Sequence, residues 1–217
     1  MLTLLILIPL IGSLFILPMS EKLKINQIKM KQIALFVSLI NFFISLIIWY
    51  QFDSNTTQYQ FISSWSLLEN ISYCHLNFGI DGISLYFVLL TTFITPIAIL
   101  SNYNSSEIIK NLKFFLISFL ILETLQICAF VSLDLLLFYI FFESVLPILF
   151  IVILLFGHGT ERFRSAFLFF LYTLAGSLPM LLSILLIYSY IISINFLFIL
   201  LYSQKTIMVR LFCCFYC

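Results

Sequence analysis

A bundle of membrane-spanning α-helices is the fold class this sequence predicts, and three observations predict it. Of the 217 residues, 63% are hydrophobic and only 9% are charged, against about 25% charged in soluble domains. The apolar residues come in runs long enough to cross a bilayer, which takes about 20 residues per helix. All ten Lys and Arg fall in four short segments between or after those runs. The mean hydropathy of +1.20 agrees with an all-α polytopic protein. A net charge of +1 leaves no dense basic face for nucleic acid.

Residues 1–20 carry no charge, and at about 1.5 Å per residue they reach roughly 30 Å, the thickness of the hydrocarbon core. Pro9 and Pro18 fall inside this first span. Residues 21–31 are polar and hold Lys22, Lys24, Lys29 and Lys31. The second span, 32–52, closes on Trp49 and Tyr50, aromatics suited to a membrane interface. Residues 53–81 are the longest polar stretch and contain no Lys or Arg. Alternation around Trp65 over 59–68 predicts a short strand or hairpin, or an interfacial segment.

The third span is 82–106, with Pro96 inside it, and the fourth is 114–133, with Glu123 near its middle. Asp134 marks a tight connection to the fifth span, 135–156. A polar loop follows at 157–164. The charge-free run 165–204 is 40 residues long, too long for one span without extreme tilt. It predicts two short helices with a turn near 189–195, giving about seven transmembrane helices.

Placing the N-terminus outside puts the segments 21–31, 107–113, 157–164 and the tail from 205 inside. Those segments hold every basic residue, while the outside segments hold Asp53, Glu69, Asp81 and Asp134. That is the asymmetry the positive-inside rule describes. A six-helix count would put Lys205 and Arg210 outside, against the rule.

Two carboxylates lie inside spans. An ionisable residue at the bilayer centre costs about 3 kcal/mol or more on insertion scales and suggests a function. Glu143 sits in the fifth span, roughly 12 Å along the helix from Leu135. Pro147, four residues on, has no N–H and frees the carbonyl of Glu143 itself. A carboxyl and a broken backbone in one turn suit a proton-relay site, since a relay group must load and unload near neutral pH. A protonated, purely structural carboxyl and an ion- or ligand-binding site are the other readings. Glu123 is the second buried acid. It lies 11 residues before Asp134 and Glu143 lies 9 after it, so antiparallel helices would carry both at similar depth.

The remaining polar residues read more simply. His158, Glu161, Arg162 and Arg164 form a solvated basic anchor, with a proton-uptake point as the functional alternative. Gly157 and Gly159 do not make a nucleotide loop, because no strand precedes them and the third glycine is missing. Cys74 and His75 are too few for a metal site. Cys213, Cys214 and Cys217 are likewise no site, and an odd five cysteines make no disulfide framework. Gly176, Ser177 and Pro179 read as small-residue packing at a kink. Glycosylation-like triplets stand at Asn55, Asn70 and Asn104. The N-terminus shows neither a basic n-region nor an Arg/Ser-rich presequence, which predicts synthesis beside its own membrane, as in bacteria or organelles.

Three blocks carry a resemblance. GIDGISLYFVLLTTFITPI (79–97), LDLLLFYIFFESVLPILFI (133–151) and FFLYTLAGSLPMLL (169–182) resemble the chain-4 antiporter-like membrane subunits of proton-pumping NADH–ubiquinone oxidoreductase, respiratory complex I, the mitochondrial form in particular. The likeness is good over 79–189 and looser over 1–78. It implies the N-terminal part of an antiporter-like fold in the mitochondrial inner membrane. It divides the chain into two N-terminal helices with an outside loop (1–78), antiporter-like helices (79–204) and a basic, cysteine-bearing tail (205–217).

The resemblance also implies roles. Glu143 becomes the helix-five glutamate that pairs with a lysine on helix seven, and Glu123 a second proton site. The implied partners are the lipid bilayer and other membrane-arm subunits, with no nucleic acid. NADH, FMN, iron–sulfur clusters and ubiquinone are implied only in partner subunits, with no cofactor in this chain. Family members have about fourteen helices in two inverted repeats, whereas the likeness fades after Ser189. The helix-seven lysine has no counterpart, since Lys205 falls in the tail. The chain is therefore expected to be the first half of a split subunit with a separate C-terminal half, a truncated or misread product, or one exon of a longer frame. Two rival readings are a subunit of a multisubunit cation/proton antiporter and a non-transporting fragment that only packs in the membrane arm.

Overall fold

The computed structural model describes residues 1–20, 24–53, 56, 58–66, 75–101, 111–157 and 161–193. Among them are six helices and one hairpin: α1 (Leu2–Ile16), α2 (Lys24–Gln51), β1 (Gln60–Ser66), β2 (His75–Ile80), α3 (Gly82–Ser101), α4 (Leu112–Val131), α5 (Leu135–Phe156) and α6 (Arg162–Ser193). Five of the helices are long and apolar enough to cross a membrane. Residues 1–174 form one compact unit, and α6 from Ala175 onward belongs to a second.

Most spans match the hydropathy reading, and the departures have local causes. α1 ends at Ile16, short of the expected 20 residues. Leu17 keeps helical backbone (φ −51°, ψ −47°), but Pro18 offers no N–H to continue the ladder. α2 starts at Lys24, well before residue 32. Lys, Gln and Met are good helix formers, so the polar stretch extends the apolar helix instead of ending it. α6 runs unbroken from Arg162 to Ser193. The turn expected near 189–195 therefore does not occur before Ser193, and a seventh helix, like the tail, would lie outside the described residues.

α4 is the central helix. Its buried residues, from Leu112 to Val131, occur on all sides, as expected of a helix surrounded by others. α1, α2, α3 and α5 all pack on it. α1 and α2 approach closely at Gly12, where an added Cβ would lie 2.7 Å from Cγ1 of Val37. α5 is peripheral, with only Tyr139 and Leu146 buried.

The strand expected around Trp65 exists. β1 pairs antiparallel with β2, with an irregularity between Gln60 and Ser63. Phe61 falls at that irregularity with φ of 54°, a left-handed backbone rare for a bulky residue. The hairpin caps one end of the bundle. Phe78 bridges to Ser132, and the N–H of Leu133 donates to the carbonyl of Asn77 at 3.0 Å. The side chain of Gln60 accepts from the N–H of Asp53 at the end of α2.

Two hydrophobic clusters result, one at each end. The hairpin-end cluster joins Leu2, Leu5, Ile48, Phe78, Ile80, Leu85, Val88, Ile127 and Val131. The opposite cluster joins Ile16, Met30, Ala34, Ile99, Leu112, Phe115, Leu116 and Leu120. Asp53, Asp81 and Asp134 border the first. Lys29, Lys31, Lys113, Arg162 and Arg164 belong to segments at the second. Successive helices therefore alternate in direction, and the two ends carry opposite charge.

Candidate functional site: a buried polar layer

Between the two clusters lies a layer of polar side chains. α2 supplies Ser38, Asn41 and Ser45, α3 supplies Thr92 and Thr95, and α4 supplies Glu123 and Thr124. All are buried. The spacing explains their convergence: Ser38, Asn41 and Ser45 recur at i, i+3 and i+7, so they share one face of α2. Thr92 and Thr95 do the same on α3.

Glu123 is completely buried. Nδ2 of Asn41 donates to its Oε1 at 2.6 Å. One turn further along α2, the Ser45 and Thr92 hydroxyls meet at 2.8 Å. Ser45 is also 2.7 Å from the Phe42 carbonyl, and Thr92 3.0 Å from that of Val88. The layer is not fully satisfied. Oε2 of Glu123 and Oδ1 of Asn41 are both buried without a hydrogen-bond partner among the described residues. Buried polar atoms are nearly always paired, so each such exception calls for an explanation.

Glu143 is half-buried on α5. It lies on the stripe of Tyr139 and Leu146, at i+4 and i−3 from them, which is the buried face of α5. Its Oε2 is buried and unpartnered among the described residues. Eight residues separate Glu123 from the end of α4 at Val131, and eight separate Glu143 from the start of α5 at Leu135. Both acids therefore stand roughly 12 Å from the α4–α5 turn. The equal depth expected from sequence is present, but the hydrogen bond of Glu123 runs to Asn41 on α2, not to Glu143.

Asn41, Thr92 and Thr95 were not legible as site residues by charge. Their signal was a polar residue every three or four positions within otherwise apolar helices. Glu161 and Arg164 pair at 3.9 Å with side chains 77% and 78% exposed, as befits a solvated anchor. His158, Cys74 and the three cysteines of the tail lie outside the described residues. Among the described residues no three His, Cys, Asp or Glu side chains converge. An open cleft of about 940 Å³ lies apart from the layer, at the hairpin end between Trp49, Tyr50, Phe52, Asp81, Tyr86 and Phe87.

The transmembrane family of NADH:quinone oxidoreductases and Mrp antiporters matches residues 132–216. NADH-ubiquinone oxidoreductase chain 4 of Mycosarcoma maydis is 53% identical over 196 residues, which are 90% of this chain and 40% of that one. The protein of the same name from Arabidopsis thaliana is 49% identical over 185 residues, 84% of this chain and 36% of that one. In three dimensions the chain matches part of respiratory complex I from Thermus thermophilus with a TM-score of 0.62 and 26% identity, covering 85% of this chain and 35% of the other. The chain thus spans well under half the length of the relatives it matches.

Proposed function

This chain is homologous to NADH-ubiquinone oxidoreductase chain 4 over most of its own length, and from that premise we propose that it supplies the N-terminal helices of an antiporter-like membrane-arm subunit of proton-pumping NADH:ubiquinone oxidoreductase. In this reading it works in the mitochondrial inner membrane beside other membrane-arm subunits. The redox centres, NADH, FMN, iron–sulfur clusters and ubiquinone belong to partner subunits. The division at 78 and 204 belongs to the same reading, as does the orientation with the basic end inside.

The observation that carries the proposal is the placement of two carboxyls at one depth on packed, antiparallel helices, each with a buried oxygen that has no partner among the described residues. A carboxyl at mid-depth is expensive, and that cost is understandable if the group exchanges protons. Glu143 is the primary relay carboxyl and Glu123 a second proton site. Both exchange with water or with each other's chain of polar groups during electron transfer from NADH to ubiquinone.

The test is Glu143→Gln in the intact membrane complex. Assembly should persist while NADH-driven proton pumping and quinone reduction fall together. Unchanged pumping would remove the relay role and leave the reading of a non-transporting fragment. Cation/proton exchange without NADH oxidation in the membrane complex that contains this chain would favour a multisubunit antiporter instead.

A further inference from the structure

The polar layer contains a device that the proposed function does not use. Glu123 touches its surroundings asymmetrically: Oε1 is held by Asn41 at 2.6 Å, and Oε2 is buried with no partner among the described residues. The oxygens of an ionised carboxylate only accept, and Nδ2 is the Asn41 atom bonded to Oε1, so the amide nitrogen of Asn41 faces it. That leaves the amide oxygen, Oδ1, buried and also unpartnered. Two acceptors with unused lone pairs thus belong to one hydrogen-bonded pair of side chains. Asn41 is itself completely buried.

We propose that Asn41 is a positioning residue for Glu123, fixing Oε1 so that Oε2 is the oxygen that exchanges the proton, with Asn41 Oδ1 docking the water molecule that carries it. This rests on the reading of Glu123 as a proton site. A buried water needs two to four polar partners, and these two acceptors are the ones the layer leaves unused. The step balances. A hydronium docked at Oδ1 gives its proton to Oε2 and remains as water, turning carboxylate into neutral acid. The reverse transfer restores carboxylate and hydronium.

The neighbourhood offers little competition. Between the two hydrophobic clusters, α1, α2 and α3 carry no Lys, Arg, His, Asp or Glu. On α4 and α5, the titratable groups in the same region of the bundle are Cys128 on α4 itself and Tyr139 and Glu143 on α5. Among the described residues, orientation of the Glu123 carboxyl therefore depends on a neutral donor, Asn41, at 2.6 Å.

The test is infrared difference spectroscopy of the intact membrane complex, paired with NADH-driven pumping. The carbonyl band of protonated Glu123 is identified by its loss in Glu123→Gln. In Asn41→Leu that band should move to higher frequency and pumping should fall, by roughly tenfold if a charge-assisted hydrogen bond is lost. Asn41→Gln, which keeps the amide donor, should bring the band back toward its original position and restore part of the pumping. A band that stays put in an assembled Asn41→Leu complex overturns the proposal, even if pumping falls.

Should Asn41→Leu fail to assemble, Asn41→Ala decides by the same band. Failure of every variant, the Gln included, would make Asn41 purely structural and also overturn it. If Glu123→Gln pumps normally while the band still moves, the proton-site reading fails and the positioning role with it. If Glu123→Gln pumps poorly and the band never moves, only the role of Asn41 fails.

Discussion

Leu133, in the turn between α4 and α5, donates its backbone N–H to the carbonyl of Asn77 in β2 at 3.0 Å. That bond fastens the hairpin to the turn from which Glu123 and Glu143 are measured off at equal distance. The contact is also tight laterally, because a Cβ on Gly79 would stand 3.0 Å from Cδ1 of Leu133. The hairpin is therefore part of what sets the depth of both carboxyls.

Gly79→Leu should push the hairpin off this turn. The expected outcome is less chain in the intact membrane complex and a lower melting temperature, by about 1–3 kcal/mol of overpacking. Gly176→Ala is the control, since an added Cβ there meets nothing within 4 Å. Quantitative native electrophoresis of the two variants is the measurement, and equal yields would show that the hairpin contact contributes little.

Glu143→Gln should assemble normally and pump poorly. Gln keeps the shape of the side chain but cannot exchange a proton. Proton uptake and quinone reduction are measured on the same vesicles, and their ratio should stay constant while both decline.

Glu123 permits a finer comparison. Glu123→Gln retains an oxygen that can accept from Asn41, so assembly should survive, with a smaller loss of pumping than at Glu143. Glu123→Leu strands the buried amide of Asn41, at a cost of about 1–3 kcal/mol, and should visibly lower thermal stability. Equal pumping losses in Glu123→Gln and Glu143→Gln would show that the two acids rank alike.

Protease accessibility tests the orientation. The stretch 53–81 lies at the acidic end, with Asp53 and Asp81. In sealed vesicles it should resist protease added on the face that carries Lys29, Lys31, Arg162 and Arg164. Cleavage from that face would invert the topology.

Much of this architecture was legible because hydropathy acts over whole helices. The fifth span was bounded correctly at residues 135 and 156 by its apolar run, and the strand around Trp65 was signalled by alternation over 59–68, whereas its partner β2 at His75–Ile80 was not read from the sequence. The start of α2 was not legible, since Lys and Gln read as loop by polarity although they favour helix by propensity. α6 runs on to Ser193, past the start of the turn read at 189–195, because no Gly or Asn stands at 189–193 to break it; residues 194 and 195 lie outside the described residues. At the site, charge flagged Glu123 and Glu143 at once. Asn41, Ser45, Thr92 and Thr95 escaped because a neutral polar residue in an apolar helix gains meaning only when a neighbouring helix brings it a partner.

The sandwich of apolar cluster, polar layer and apolar cluster has an electrical consequence. Two apolar slabs flank one layer of buried polar groups, so a charge in that layer sits partway through the voltage drop across the membrane. Carrying a unit charge across the whole membrane involves about 2.3 kcal/mol per 100 mV. Loading Glu123 from one face, as proposed, involves only a part of that. In the proposed role of Glu123 as a proton site, membrane voltage would therefore act on its occupancy alongside proton concentration.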